Sequence, residues 1–330
     1  MKHSWRAGAA LLALTMAAGL AGCGGQTSQK TQSGGEKDSY TIGIVQLTPH
    51  EALDQATKGF QDALKEAFGD KVTFDLEYAA NDPATCATIA NTFVSSGVDL
   101  IMANASSALQ AAASATGDIP VLGTSVTEYG VALKIDDFSG TVGTNVSGTS
   151  DLAPLDQQAA MIQEWCPEAK TVGLLYCSGE PNSQYQVDTV QEHLEELGYT
   201  CTQYAFSDSN DMAAVTQTAA DNSDVIYVPT DNTVASNASI VDNICRPAKI
   251  PVFAGEQGIC KGCGVATLSI SYYDLGVTTG EMAVKVLRGE ADISQMPIEY
   301  APQFTKMYNQ DICDDLKLTP PEGYTAIEAE

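Results

Sequence analysis

The sequence predicts an α/β protein of two doubly wound parallel-sheet domains joined by a multi-strand hinge. Two observations carry this. Short apolar runs alternate with longer amphipathic stretches, the βαβα rhythm that requires parallel strands and right-handed crossovers. The rhythm also occurs twice. "TIGIVQL" from Thr41 is echoed by "TVGLLYC" from Thr171, and "IPVLGTS" from Ile119 by "IPVFAGE" from Ile250. The offset is 130 residues at one end and 131 at the other, held in register over about 85 residues.

The elements follow in order. Lys2 and Arg6 make a basic start, Ala9 to Leu20 an apolar stretch, and small residues lead to Cys23. This is the pattern of a secretory signal over residues 1–22, too short and too rich in Gly and Ala for a good membrane span. "Leu20-Ala21-Gly22-Cys23" resembles the bacterial lipobox, in which the Cys is acylated and becomes the mature N-terminus. Residues 23–39 are rich in Gly, Ser, Gln and Thr, without hydrophobic period. They read as a flexible tether with a reach of roughly 20–24 Å. The expected location is the cell membrane, lipid-anchored through Cys23 and facing the extracytoplasmic side.

In the first domain "YTIGIVQL" reads as a strand. The next stretch is a helix with Leu53, Ala56, Phe60 and Leu64 on one face and Gly69 at its end. "VTFDLEYA", "VDLIMANAS" and "IPVLGTSV" are strands, separated by helices starting near Pro83 and Ser107. The second domain repeats this from Thr171. It adds a strand "GVATLSI", a helix "YYDLGVTTGEMAVKVLRG" closed by Gly289, an extended "MPIEYAPQF" and a helix "TKMYNQDICDDLKL". "NTVASNASIVDNI" has helical spacing, and "GICKGCG" reads as a Gly-rich loop. The division expected is 40–146 with about 273–303 for one domain, and 147–272 with about 304–330 for the other. Crossings fall near 145–150, 270–275 and 300–306.

Composition excludes several function classes. Without residues 1–22 the chain has 14 Lys+Arg against 42 Asp+Glu, a balance of −28, which argues against nucleic acid as a partner. His50 and His193 are the histidines beyond the leader, too few for a His-rich metal site or Ser-His-Asp catalysis. No Gly-rich phosphate loop and no GxSxG occurs. No catalytic residue, metal or cofactor is expected. Cys260 and Cys263 form a lone CxxC, which reads as a local disulfide or two spare thiols rather than a redox centre.

In open α/β sheets ligands bind beyond the carboxyl ends of the strands. Those junctions carry Asn104, Ser106, Ser107, Thr124 and Ser125 in the first repeat, and Asn182, Ser183, Thr230, Asp231, Asn232, Glu256 and Gln257 in the second. Capping of the following helix is the competing use of each. Convergence of junctions from both domains on one cleft favours a ligand site, with Asp231 foremost.

"YVPTDNTV", "IPVFAGE", "GTSDL", "SISYYDLG" and "TGEMAVKVLRG" resemble the substrate-binding proteins of ABC transporters. The nearest branch is the tryptophan- and aromatic-amino-acid-binding lipoproteins. The likeness runs from about Tyr40 to Leu318. It implies the periplasmic-binding-protein type I fold, hinged closure on a small zwitterion such as an amino acid, and delivery to an ABC permease without chemistry. His50 matches a family position, while Pro49 replaces the acid before it and Ser106-Ser107 stands where Thr-Pro is common. An amino-acid ligand offers a carboxylate, which suits helix N–H groups and hydroxyls at Ser106 and Ser107. Its ammonium suits a carboxylate: Asp231 first, then Glu256, then Asp151, which alternatively caps a helix or braces the hinge. Tyr129, Tyr185 and Tyr272 are candidate walls for an apolar side chain, and Trp165 is expected to be structural. A tethered sensing subunit for a signalling receptor is the alternative, and an enzyme a third.

Overall fold

The structure, a computed structural model, describes residues 37–301 and 303–328. The leader, Cys23 and most of the tether lie outside the described residues. Among the described residues, six strands form the first sheet: β1 (Tyr40–Gln46), β2 (Val72–Tyr78), β3 (Leu100–Asn104), β4 (Val121–Val126), β5 (Val146–Ser150) and β11 (Glu299–Tyr300). Their order is β11-β5-β4-β3-β1-β2, and every pair is parallel. Seven strands form the second: β6 (Thr171–Cys177), β7 (Thr200–Phe206), β8 (Val225–Val228), β9 (Val252–Ala254), β10 (Ala266–Ser269), β12 (Thr305–Tyr308) and β13 (Thr325–Ala326). Their order is β13-β12-β10-β9-β8-β6-β7, and only the β10–β12 pair is antiparallel.

Central strands such as β3, β4 and β8 are buried at every position, as sheets covered on both faces require. The covering helices of the first lobe are α1 (Glu51–Phe68), α2 (Pro83–Ser96), α3 (Ser106–Ala115) and α4 (Tyr129–Leu133). Those of the second are α5 (Leu155–Trp165), α6 (Pro181–Glu196), α7 (Met212–Asn222), α8 (Asn232–Ser236), α9 (Ala238–Ala248) and α10 (Gln257–Cys263). The chain then returns to the first lobe as α11 (Tyr272–Leu287) and ends in the second with α12 (Gln310–Leu316).

Four local expectations are corrected. β5 belongs wholly to the first sheet, so the chain leaves that lobe after Ser150, not after residue 146. Thr305–Tyr308 is a strand, because it pairs with β10; the helix begins only after Asn309, whose side chain accepts from the Ile312 N–H. "GICKGC" lies in a short helix, α10, nucleated by the Glu256 cap. The stretch after Asp231 is two helices, since Asn237 leaves helical geometry and bonds the Thr233 carbonyl instead. Trp165 packs edge-on against Tyr324 at 5.1 Å and Phe253 at 6.5 Å, in the second core.

The α11 helix is seated on α1 through glycine. A Cβ on Gly276 would lie 2.0 Å from the Ala56 carbonyl oxygen, and one on Gly59 2.1 Å from that of Tyr273. No methyl fits without parting the helices. Gly276→Ala is therefore expected to destabilise the protein by about 1–3 kcal/mol, despite alanine's better helix propensity. A urea melt checks this; an unchanged or raised midpoint would show that the helices separate freely.

Candidate ligand-binding site

Two residues at strand ends of the first lobe sit in strained backbone. Ala105, between β3 and α3, has φ of 95°, and Ser125 in β4 has φ of 53°. Neither is glycine, and such conformations cost about 1–3 kcal/mol each. At Ser125 the β4–β5 register shifts between Gly123 and Val126, which turns the Ser125 side chain out of the ladder.

That side chain lines a cavity of about 10 Å³ between the lobes. The first lobe contributes His50, Ala52, Leu53, Ser125 and Thr127; the second contributes Asn182, Thr230 and Asn232. Asp151, in the first crossing, and Tyr272, just after the second, complete it. Two of its polar atoms, Ser125 Oγ and Asp151 Oδ1, are buried without a hydrogen-bond partner. Buried polar groups are nearly always paired, so two unpartnered acceptors in one cavity make it a candidate place for another molecule's donors.

Asp151 does not cap α5, whose N-cap is Pro154. Its Oδ2 accepts from the Tyr272 hydroxyl at 3.0 Å, across the two crossings. Burial pushes its carboxyl up to about 6, which the side chains of Tyr272 and Thr127 only partly offset. Burial also pulls His50 below its ordinary value. The His50 Nε2 lies 3.1 Å from Asn232 Oδ1, bridging the lobes. Asn81 Nδ2 donates to Thr233 Oγ1 at 2.8 Å, a second bridge, and Lys261 Nζ lies 3.4 Å from Glu51.

The cavity thus gathers seven of the residues the sequence nominated: His50, Ser125, Asp151, Asn182, Thr230, Asn232 and the wall candidate Tyr272. It omits the foremost one. Asp231 caps α8, its Oδ1 accepting from the Val234 N–H at 2.9 Å and its Oδ2 from the Cys177 N–H at 2.7 Å. Burial and the nearby Glu180 push its carboxyl up. Glu256 caps α10 in the same way, accepting from Gly258 and Ile259, and burial pushes it up to about 7. Ser106 and Ser107 are buried at the start of α3 but do not line the cavity. Thr124 accepts from Thr149 inside the sheet, and Ser183 Oγ accepts from Asn182 Nδ2. Tyr129 is core, its hydroxyl donating to the Thr149 carbonyl, and Tyr185 packs against the second core.

Sequence reasoning missed Thr127 and Glu180. Thr127 follows a strand end already rich in hydroxyls. Glu180 stands before Pro181 at a helix start and looks like an ordinary acidic cap. Among the described residues no cluster of His, Cys, Asp and Glu is arranged to hold a metal, and no helix is long and apolar enough to cross a membrane.

Two crossed lobes with a polar cavity at the hinge is the plan of the type I periplasmic binding proteins. The profile of the family described as ABC transporter substrate binding protein matches residues 41–329. The chain belongs to this family. A relative named tyrosine-binding protein, from Clostridioides difficile, is 34% identical over 88% of this chain and 86% of its own. A Streptococcus pneumoniae ABC domain solved with L-Trp superposes with a TM-score of 0.83 at 33% identity, covering 88% of this chain and all of that one. A ligand-free, open substrate-binding protein with adhesive properties from Clostridium difficile is 38% identical over the same shares, yet its TM-score is 0.68. The poorer fit at higher identity falls on the neighbour described as ligand-free and open, the better one on the neighbour solved with L-Trp. With its cross-lobe hydrogen bonds formed, this family member has its lobes together.

Proposed function

We propose that this protein captures a free aromatic amino acid between its lobes and passes it to an ABC permease, from a lipid anchor on Cys23. The observation that supports the ligand class most is the orphaned Asp151 Oδ1 beside the orphaned Ser125 Oγ. An ammonium group brings three donors of about the size of a water, and these two atoms are acceptors. The ligand's carboxylate then belongs at the start of α1. There Ala52 and Leu53 line the cavity and the helix has no side-chain cap, so its first N–H groups and the macrodipole favour an anion.

The aromatic preference rests on the relatives, whose names carry tyrosine and L-Trp. A cavity of about 10 Å³ admits no amino acid as it stands. Binding therefore requires the lobes to part, the ligand to dock, and the cavity side chains to re-seat around it. Calorimetric titration with L-tryptophan, L-tyrosine, L-phenylalanine and L-leucine tests the reading. One aromatic amino acid should bind at one site per chain, at least tenfold tighter than leucine. At a hundred times its Kd it should add about 2.7 kcal/mol to stability. Heat from a sugar or an organic acid alone, and none from any amino acid, would remove the proposal.

The anchor has its own test. Cys23→Ser should move the protein from the membrane fraction to the soluble fraction of the producing cell. A variant that stays with the membrane would point to another attachment.

A further inference from the structure

Glu180 is 4% exposed and lies outside the cavity, yet it accepts five hydrogen bonds. Its Oε2 takes Asn182 Nδ2 at 3.3 Å, Asn232 N at 3.0 Å and Asn232 Nδ2 at 2.7 Å. Its Oε1 takes Thr233 N at 2.8 Å and Thr233 Oγ1 at 2.7 Å. The three residues it holds are two that line the cavity and one that bridges the lobes.

The direction of these bonds has a consequence across the cleft. A carboxylate among donors only accepts. Asn232 must turn its amide nitrogen to Glu180, which turns its Oδ1 to His50. Thr233 must spend its hydroxyl proton on Glu180, which leaves Oγ1 to accept from Asn81. The first lobe answers with donors at both places: His50 with its proton on Nε2, and the Asn81 amide nitrogen. Asn81 itself has φ of 62° and its neighbour Ala80 φ of 51°, so the reaching loop is held in an uncommon conformation.

We infer that Glu180 is a positioning residue for closure, setting the second lobe's cleft face as hydrogen-bond acceptors that match donors on the first. A cap alone would be satisfied by two backbone N–H groups; the Asn232 and Thr233 side-chain bonds go beyond that and are the ones that reach across. The inference rests on the reading that the lobes close over a ligand. Glu180→Gln keeps the size but places an amide nitrogen against donors, so it should unset both bridges.

Small-angle X-ray scattering of the full chain reads the outcome, with and without L-tryptophan or L-tyrosine. Wild type is expected to be more compact than Glu180→Gln, and the variant to lose most of the ligand-induced compaction. Thr233→Val, which removes only the bridging hydroxyl, should shift the same way and covers the case that Glu180→Gln folds poorly. A merely structural Glu180 would lower the melting temperature and leave the compact scattering curve of the folded protein unchanged, and that result overturns the inference. Wild type that ignores both amino acids, yet is more compact than Glu180→Gln, would discard the amino acid and keep Glu180. Wild type no more compact than the variant under any condition overturns Glu180's role.

Discussion

Asp151→Asn is expected to weaken amino-acid binding at pH 7 by about tenfold to a hundredfold. The loss is one charge-assisted hydrogen bond in a water-poor site, about 1.5–3 kcal/mol. The same carboxyl predicts a pH dependence. It is pushed up to about 6, and an ammonium ligand needs it ionised. Wild-type Kd should therefore rise about tenfold between pH 7 and pH 5, and the Asn variant's Kd should stay flat over that range. Stability moves oppositely. The folded state holds this proton more tightly than the unfolded chain, so in the ligand-free protein the group costs stability as pH rises from about 4 through about 6. Asp151→Asn removes that cost and keeps an acceptor for the Tyr272 hydroxyl. The free variant should be as stable as wild type at pH 7, or more so. Calorimetry across pH with a urea melt of the free protein decides. A pH-dependent Kd that survives in the variant would mean another group titrates.

Asp231→Ala should do the reverse, costing stability and sparing affinity. It strands the Val234 and Cys177 N–H groups, both buried, at an expected cost of about 2–4 kcal/mol. Relief of repulsion from Glu180 offsets part of this. The folded fraction should bind its amino acid within about threefold of wild type, because Asp231 does not border the cavity. Lost affinity at unchanged stability would instead put Asp231 on the ligand.

The contrast between these two carboxylates shows what one dimension of information can carry. The strand–helix rhythm and the doubled motif were readable because they are local patterns that depend on burial and period. "VIYVPTDN" advertises Asp231 at a strand end, and that placement was right. Its second oxygen, however, goes to Cys177, 54 residues earlier, and no spacing rule reports that. Asp151 ranked third because its partner Tyr272 is 121 residues away and its free oxygen is visible only once the two crossings meet. Glu180 was invisible for the same reason: its worth lies in whom it touches. β12 read as helix because its partner β10 supplies the pairing that four residues alone do not specify.

The glycine-mediated seat of α11 on α1 has a kinetic meaning. α1 opens with the N–H groups proposed to meet the ligand's carboxylate, and α11 opens with Tyr272, which holds Asp151. Backbone-to-backbone contact ties the two helices into one stiff body. On the proposed reading, both charged ends of the ligand would be engaged before the second lobe arrives, and that lobe would swing in as a cover over a molecule already docked. Substitutions on the second lobe should act on how long the ligand stays, and leave the rate of its capture to the first.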